Sequence, residues 1–218
     1  MRDSDRRATS EGPTRPSSTS RAFCDEMYRQ SPDPWRYVSD PYELGRYHHI
    51  VSLLGADPFA FGFEPACSIG VLTTMLASRG RKLVATDISS VAVERARIRC
   101  ATLEHVDIRQ GRLPDDMPDG PLDLVVLSEV GYYFEVPALV AVLDRLADRM
   151  APDGLLVAAH WTGTSRDHVL PGSKVHEVLA RSQPFRETHC EHRPGYLIGT
   201  YRREGRSTAH PGVSQGVG

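Results

Sequence analysis

Two carboxylates stand where apolar runs end: Glu64 in Gly62-Phe-Glu-Pro-Ala-Cys-Ser-Ile-Gly70, and Asp87 at the close of Lys82-Leu-Val-Ala-Thr-Asp87. A carboxylate at the carboxyl end of a buried strand is suited to ribose hydroxyls or to a cationic ligand group. The second acid follows the first loop by roughly 20 residues, the separation at which a nucleotide-binding unit places its ribose-binding acid. Gly70 then opens an amphipathic segment. The pattern is a strand, loop and helix that bind a nucleoside cofactor.

Which nucleoside follows from what the loop lacks. Backbone approach to a doubly negative pyrophosphate requires several glycines, yet Ala66 and Ser68 occupy two of the expected places. S-adenosylmethionine carries no phosphate, so one close-approach glycine, Gly70, and a ribose-binding acid, Asp87, suffice. Glu64 beneath the loop is expected to orient its N–H groups and to favour the cofactor's cationic end. Ala66 and Cys67 in the loop, and Ile88 directly after Asp87, belong to the same expected contact set.

A second chemical cluster lies downstream. Pro121-Leu-Asp-Leu-Val-Val-Leu-Ser-Glu-Val130 reads as a buried parallel strand with polar residues at its carboxyl end, and Tyr132 and Tyr133 follow at once. In an open α/β sheet, ligands sit beyond the strand carboxyl ends, so Ser128, Glu129, Tyr132 and Tyr133 should border the reaction space, with Ser128 and Glu129 expected to meet the cofactor, Tyr132 to be catalytic and Tyr133 to meet the acceptor. His160 and Trp161 close another buried run, Leu155 to Ala159, and are expected to face the same crevice. His160 is the candidate proton acceptor, since its ordinary pKa lies near neutrality. Trp161 could stack on a sugar face, and His168 and His176 could hold sugar hydroxyls.

These motifs resemble those of class I S-adenosylmethionine-dependent methyltransferases, whose first motif is Glu-x-Gly-x-Gly-x-Gly. Asp33-Pro-Trp35, Tyr42-Glu43 with Arg46, Glu64 to Thr73, and Ser128-Glu-Val-Gly-Tyr-Tyr133 narrow the resemblance to the NodS-type Nod-factor N-methyltransferases, over most of residues 23 to 204. The resemblance implies S-adenosylmethionine bound by Glu64, Gly70, Asp87 and the segment around Arg112 and Leu113. It also implies a deacetylated chitooligosaccharide or other amine acceptor. Ala66 departs from the first glycine of the pattern, and Arg112 stands where many relatives carry an acid near adenine. Hydroxyl methylation of a small metabolite, with His160 as an essential base, and a non-catalytic S-adenosylmethionine-binding protein are the alternatives. A nicotinamide dehydrogenase lacks its Gly-x-Gly-x-x-Gly.

The elements that must position these residues alternate between strand and helix, as a mostly parallel seven-stranded sheet of a Rossmann-like three-layer α/β sandwich requires, with a terminal antiparallel pair joined across Arg193-Pro-Gly195. A helix is predicted from about Gly70 to Ser78 and another starting at Ser90, with Glu94 nearby; a third runs over Val136 to Met150, its apolar stripe on Leu139, Val140, Leu143, Leu146 and Met150. Before the first strand, Tyr42 and Arg46 fall at helical i,i+4 spacing. With Trp35 they are expected to form a lid over about 21–56 in which Arg46 and Trp35 meet the cofactor.

With 218 residues, 40% of them hydrophobic, the chain supports one core. Residues 1–20 and 205–218 read as disordered tails around a methyltransferase domain at 21–204. A formal net charge of -2 gives no basic footprint for nucleic acid. No apolar run reaches bilayer length and no signal peptide is visible, so a cytoplasmic, membrane-free protein is expected. The four cysteines have no metal-type spacing, so no metal is expected, and no obligatory protein partner is indicated.

Overall fold

A computed structural model describes residues 20–205. The expected tails therefore lie outside the described residues, apart from Ser20 and Gly205. The chain runs α1 (Arg21–Gln30), α2 (Pro41–Ser52), β1 (Gly62–Pro65), α3 (Val71–Ala77), β2 (Leu83–Asp87), α4 (Ser90–Arg99), β3 (Val106–Gln110), β4 (Leu122–Ser128), a 3₁₀ turn (Gly131–Tyr133), α5 (Val136–Arg149), β5 (Met150–Trp161), α6 (Gly172–Ala180), β6 (Phe185–Arg193) and β7 (Tyr196–Arg203). The seven strands form one sheet in the order β3-β2-β1-β4-β5-β7-β6. Strands β1 to β5 are parallel neighbours, and β7 runs antiparallel to both β5 and β6. The strand order reverses between β1 and β4, which makes that crevice the switch point where ligands bind in such sheets.

The local sequence explains the central strands. β1 and β2 are buried at every position, and β4 at every position but Asp123, as expected for parallel strands covered on both faces. Asp123 is accounted for by its bonds: its carboxylate accepts the N–H groups of Ala60 (2.6 Å) and Phe61 (2.7 Å), joining β4 to the entry of β1. One face of the sheet packs Leu139, Leu143 and Leu146 of α5 and Leu179 of α6 against Phe63, Val125 and Leu127. The other packs Ile50 of α2 and Leu72 and Leu76 of α3 against Leu124, Val126 and Val157.

Helix α4 starts at Ser90 as expected, and the Ser89 hydroxyl caps it by accepting the Ala92 N–H at 3.2 Å. Two local expectations shift. On α5 the buried stripe takes in Val142 and leaves Val140 exposed, since the helix turns its 139, 142, 143, 146 face to the sheet. Gly70 is the left-handed N-cap of α3 (φ 79°), and a Cβ there would meet Ala96 Cβ at 3.1 Å, so its close approach is to α4. Gly70→Ala is therefore expected to destabilise the fold by about 1–2 kcal/mol from the left-handed backbone alone. Chemical denaturation checks this; an unchanged midpoint would mean that the left-handed backbone at residue 70 carries no cost or is not kept.

Candidate active site

A cavity of about 520 Å³ crosses the carboxyl ends of β3, β2, β1 and β4. Its floor is the β1 loop. Ala66 (φ 59°), Ser68 (φ 52°) and Gly70 (φ 79°) all take left-handed backbone, so the chain follows a path suited to three glycines although only the last is one. The Ala66 and Ser68 conformations cost of order 1 kcal/mol each and persist because the surroundings hold them. Asp87 is the holder: one carboxylate oxygen accepts the Ser68 N–H at 2.9 Å and the other the Ser89 N–H at 2.8 Å. Burial pushes Asp87 up to about 6, and these two N–H groups oppose that rise. Asp87, and not Glu64 as expected from sequence, thus organises the loop.

Glu64 has a different position. It is 2% exposed, its Oε2 has no hydrogen-bond partner, and burial pushes its pKa up to about 8, with the Asp87 charge adding to the rise. The Ser128 hydroxyl is likewise buried without a partner. Both residues line the cavity, so Glu64 Oε2 and the Ser128 hydroxyl are buried polar atoms on its wall without a hydrogen bond of normal geometry; the neighbouring Thr73 hydroxyl, also buried, opposes the rise at Glu64. Ile88, Arg112 and Leu113 line the β2 and β3 side, Cys67 the floor, and Glu129, Tyr132 and Tyr133 the β4 side. Arg112 keeps its guanidinium largely in solvent, near Asp115 at 3.5 Å.

The cavity is roofed by the N-terminal helices. Trp35 lines it and stacks on Tyr37, with ring centroids 5.6 Å apart. Two residues that the sequence reading passed over fasten this roof. The Tyr28 hydroxyl donates to Ser68 Oγ at 2.5 Å, and Asp25 accepts the Ser89 hydroxyl at 2.6 Å. Their i,i+3 spacing on one face of α1 was the available signal.

Other expected site residues lie behind the wall. Arg46 is 1% exposed and outside the lining; it pairs with Glu43 and, at 3.3 Å, with Glu129, while its Nε and Nη1 have no hydrogen-bond partner. His160 does not face the crevice: it is fully buried, its Nε2 accepts the Gly131 N–H at 3.0 Å, and its Nδ1 lies 3.3 Å from His176 Nε2. Burial pushes His160 well below the ordinary histidine range, with His176 adding to the effect. The reason is geometric, since residue 160 sits in a strand covered on both faces rather than beyond its end. His176 continues the chain to the Tyr201 hydroxyl at 3.3 Å. His168 stacks on Tyr132 with centroids 3.6 Å apart, and Trp161 gives its backbone N–H to Glu129 at 2.7 Å; neither lines the cavity.

The sheet order with β7 reversed, acids closing β1 and β2, and a cavity at the switch point define the Rossmann-like fold of class I S-adenosylmethionine-dependent methyltransferases. The chain belongs to the NodS family, whose model, nodulation protein S, matches residues 25–176. Nodulation protein S of Bradyrhizobium diazoefficiens is 30% identical over 139 residues, 63% of this chain and 65% of that one. The Rhizobium tropici protein of the same name is 29% identical over 137 residues, 62% of this chain and 56% of that one. The chain thus aligns with somewhat less than two thirds of these relatives' length. The structure of N-methyltransferase NodS from Bradyrhizobium japonicum WM9 in complex with S-adenosyl-L-homocysteine superposes with a TM-score of 0.73, at 22% identity, over 84% of this chain and 97% of that one.

The buried Glu64 generates a test that needs no ligand. In the unfolded chain it ionises near 4.5, in the folded one near 8. Between these values the folded state keeps a proton the unfolded state has lost, so the Glu64 contribution to stability declines as pH rises from about 4.5 to about 8 and is flat above. Glu64→Gln should remove this decline, matching wild type near pH 4.5 and exceeding its melting temperature near pH 8. Parallel wild-type and variant curves across that range would show that Glu64 is not held protonated.

Proposed function

We propose that the protein is an S-adenosylmethionine-dependent methyltransferase whose acceptor is an amine on a small molecule or oligosaccharide. The observation that carries this reading is the cavity with its unfilled polar atoms: Glu64 Oε2 and Ser128 Oγ, both buried and both at the β1 and β4 strand ends. They suit the cationic ammonium of a methionyl group. Asp87, on the β2 side of the same cavity, suits ribose hydroxyls, and Ile88 and Leu113 flank a space for an apolar base. No glycine-built cradle for a pyrophosphate accompanies them. When bound, S-adenosylmethionine supplies an electrophilic methyl group on a sulfonium.

The residues of this chain then bind, orient and exclude water. α1 and the segment through Trp35 and Tyr37 act as a lid, tied to the floor through Tyr28 and Ser68. The aromatic roof lowers the local dielectric and keeps solvent from the reacting centre. A solved structure of the same family, titled an N-methyltransferase, supports nitrogen as the acceptor atom. Hydroxyl methylation rested on His160 as base, and His160 has its Nε2 engaged by Gly131 outside the cavity.

Calorimetric titration with S-adenosylhomocysteine tests the cofactor. A hydrogen bond to an ionised group is worth about 1.5–3 kcal/mol, so Asp87→Ala should weaken binding on the order of 10- to 100-fold. Wild-type protein that ignores this ligand while folded by circular dichroism, or a variant that binds it as well as wild type, would overturn the assignment.

A further inference from the structure

Three acidic side chains line the cavity: Glu64, Asp87 and Glu129. The first two face the cofactor space on the β1 and β2 side. Glu129 stands apart on the β4 side, among Tyr132, Tyr133, Trp35 and Tyr37. Its backbone is left-handed (φ 58°), a conformation that a non-glycine residue holds at a cost. That turn breaks the strand direction directly after Ser128 and lets the side chain be gripped from several elements. Oε1 accepts the Trp161 N–H at 2.7 Å and lies 3.3 Å from Arg46 Nη1; Oε2 accepts the Tyr132 hydroxyl at 2.9 Å. Oε2 therefore has one donor and a second lone pair, in a side chain 13% exposed on the cavity.

We propose that Glu129 binds the protonated amine of the acceptor and takes its proton, so that it selects a cationic nitrogen and is a catalytic residue of the transfer. This rests on the methyltransferase reading above. An ammonium has no lone pair and cannot attack. One N–H bond breaks, its electron pair stays on nitrogen, and the proton bonds to Glu129 Oε2. The freed pair forms the N–C bond to the methyl group while the S–C bond breaks with its pair on sulfur, leaving a methylammonium product and a neutral thioether. The rings of Tyr37, Tyr132, Tyr133 and Trp35 line the same cavity and give it an aromatic wall.

The groups that set the charge of Glu129 come from each element packed on it. Arg46, Glu43, Tyr42 and Tyr47 project from α2, Tyr37 from the connection before it, and Tyr132 and Tyr133 from the 3₁₀ turn. Burial raises the Glu129 pKa above the ordinary carboxylate value, against the pull of Arg46 and of its hydrogen bonds. Arg46, shared between Glu43 and Glu129, is on this account the positioning residue that keeps Glu129 ionised until the amine arrives.

The test is the pH profile of kcat/KM for methyl transfer to a glucosamine oligomer with a free amine, in wild type, E129Q and E129D. S-Adenosylhomocysteine binding is measured by calorimetry on the same samples, and so is binding of the oligomer to each S-adenosylhomocysteine complex. E129Q should leave S-adenosylhomocysteine affinity unchanged, weaken oligomer binding, and lower kcat/KM near neutral pH by about 100-fold. The deficit should shrink as pH rises and water deprotonates the amine, and E129D should recover part of the activity. A deficit equal at every pH, one matched by loss of S-adenosylhomocysteine affinity, or none at all would overturn the proposal. Wild type that binds S-adenosylhomocysteine but methylates only hydroxyl acceptors would sink the role of Glu129 and spare the cofactor assignment. Wild type that does not bind it would remove both.

Discussion

The Asp87 carboxylate accepts the Ser68 N–H with one oxygen and the Ser89 N–H with the other, and so joins the β1 loop to the start of α4 across the parallel β1 and β2 pair. A buried acid with two N–H donors is held in one rotamer, and the loop above it is held with it. Ala66 and Ser68 can then keep a left-handed backbone that their side chains disfavour. The two substitutions that break the Glu-x-Gly-x-Gly-x-Gly pattern thus change residue type while the loop path survives. Ser68 does more than tolerate its position, because its hydroxyl receives Tyr28 from the roof. Loop, roof and α4 consequently share one hydrogen-bonded junction.

Charge is arranged around this junction in two ways. Glu64 is buried without a cation and so favours its neutral form, a state that an incoming ammonium would reverse. Glu129 is buried beside Arg46 and keeps a partner at all times. The first carboxylate keeps one oxygen, Oε2, without a hydrogen bond of normal geometry; the second is held in place by the chain itself. Such a contrast between two acids in one cavity is how a site separates binding from proton handling.

Much of the fold could be read from residue order. The alternation of buried runs with amphipathic segments carries the sheet and its terminal antiparallel pair, because parallel strands buried on both faces leave a nearly continuous apolar signal. The strand-end residues Glu64, Asp87, Ser128 and Glu129 were legible for the same reason, since topology places every such end at one crevice. What a strand end cannot reveal is where the side chain turns. His160 occupies an inward position of β5 and finds Gly131 and His176, whereas Glu129, one residue beyond β4, is turned by its own left-handed backbone. Arg46 shows a similar limit: i,i+4 spacing with Tyr42 placed it on a helix face, yet that face is packed against Glu129 and not open to the cavity. Asp25 and Tyr28 were hidden because their partners, Ser89 and Ser68, are distant in sequence.

The central claim is that one cavity, organised by Asp87, receives the nucleoside across β2 and β3 and the methionyl group toward β1 and β4. The most direct measurement is a crystal structure of the protein with S-adenosylhomocysteine. The account requires ribose hydroxyls on Asp87, the adenine between Ile88 and Leu113, the amino group near Glu64 and Ser128, and Glu129 facing the remaining space. A ligand bound in the opposite sense, with adenine against Glu129, or bound outside the cavity, would contradict it.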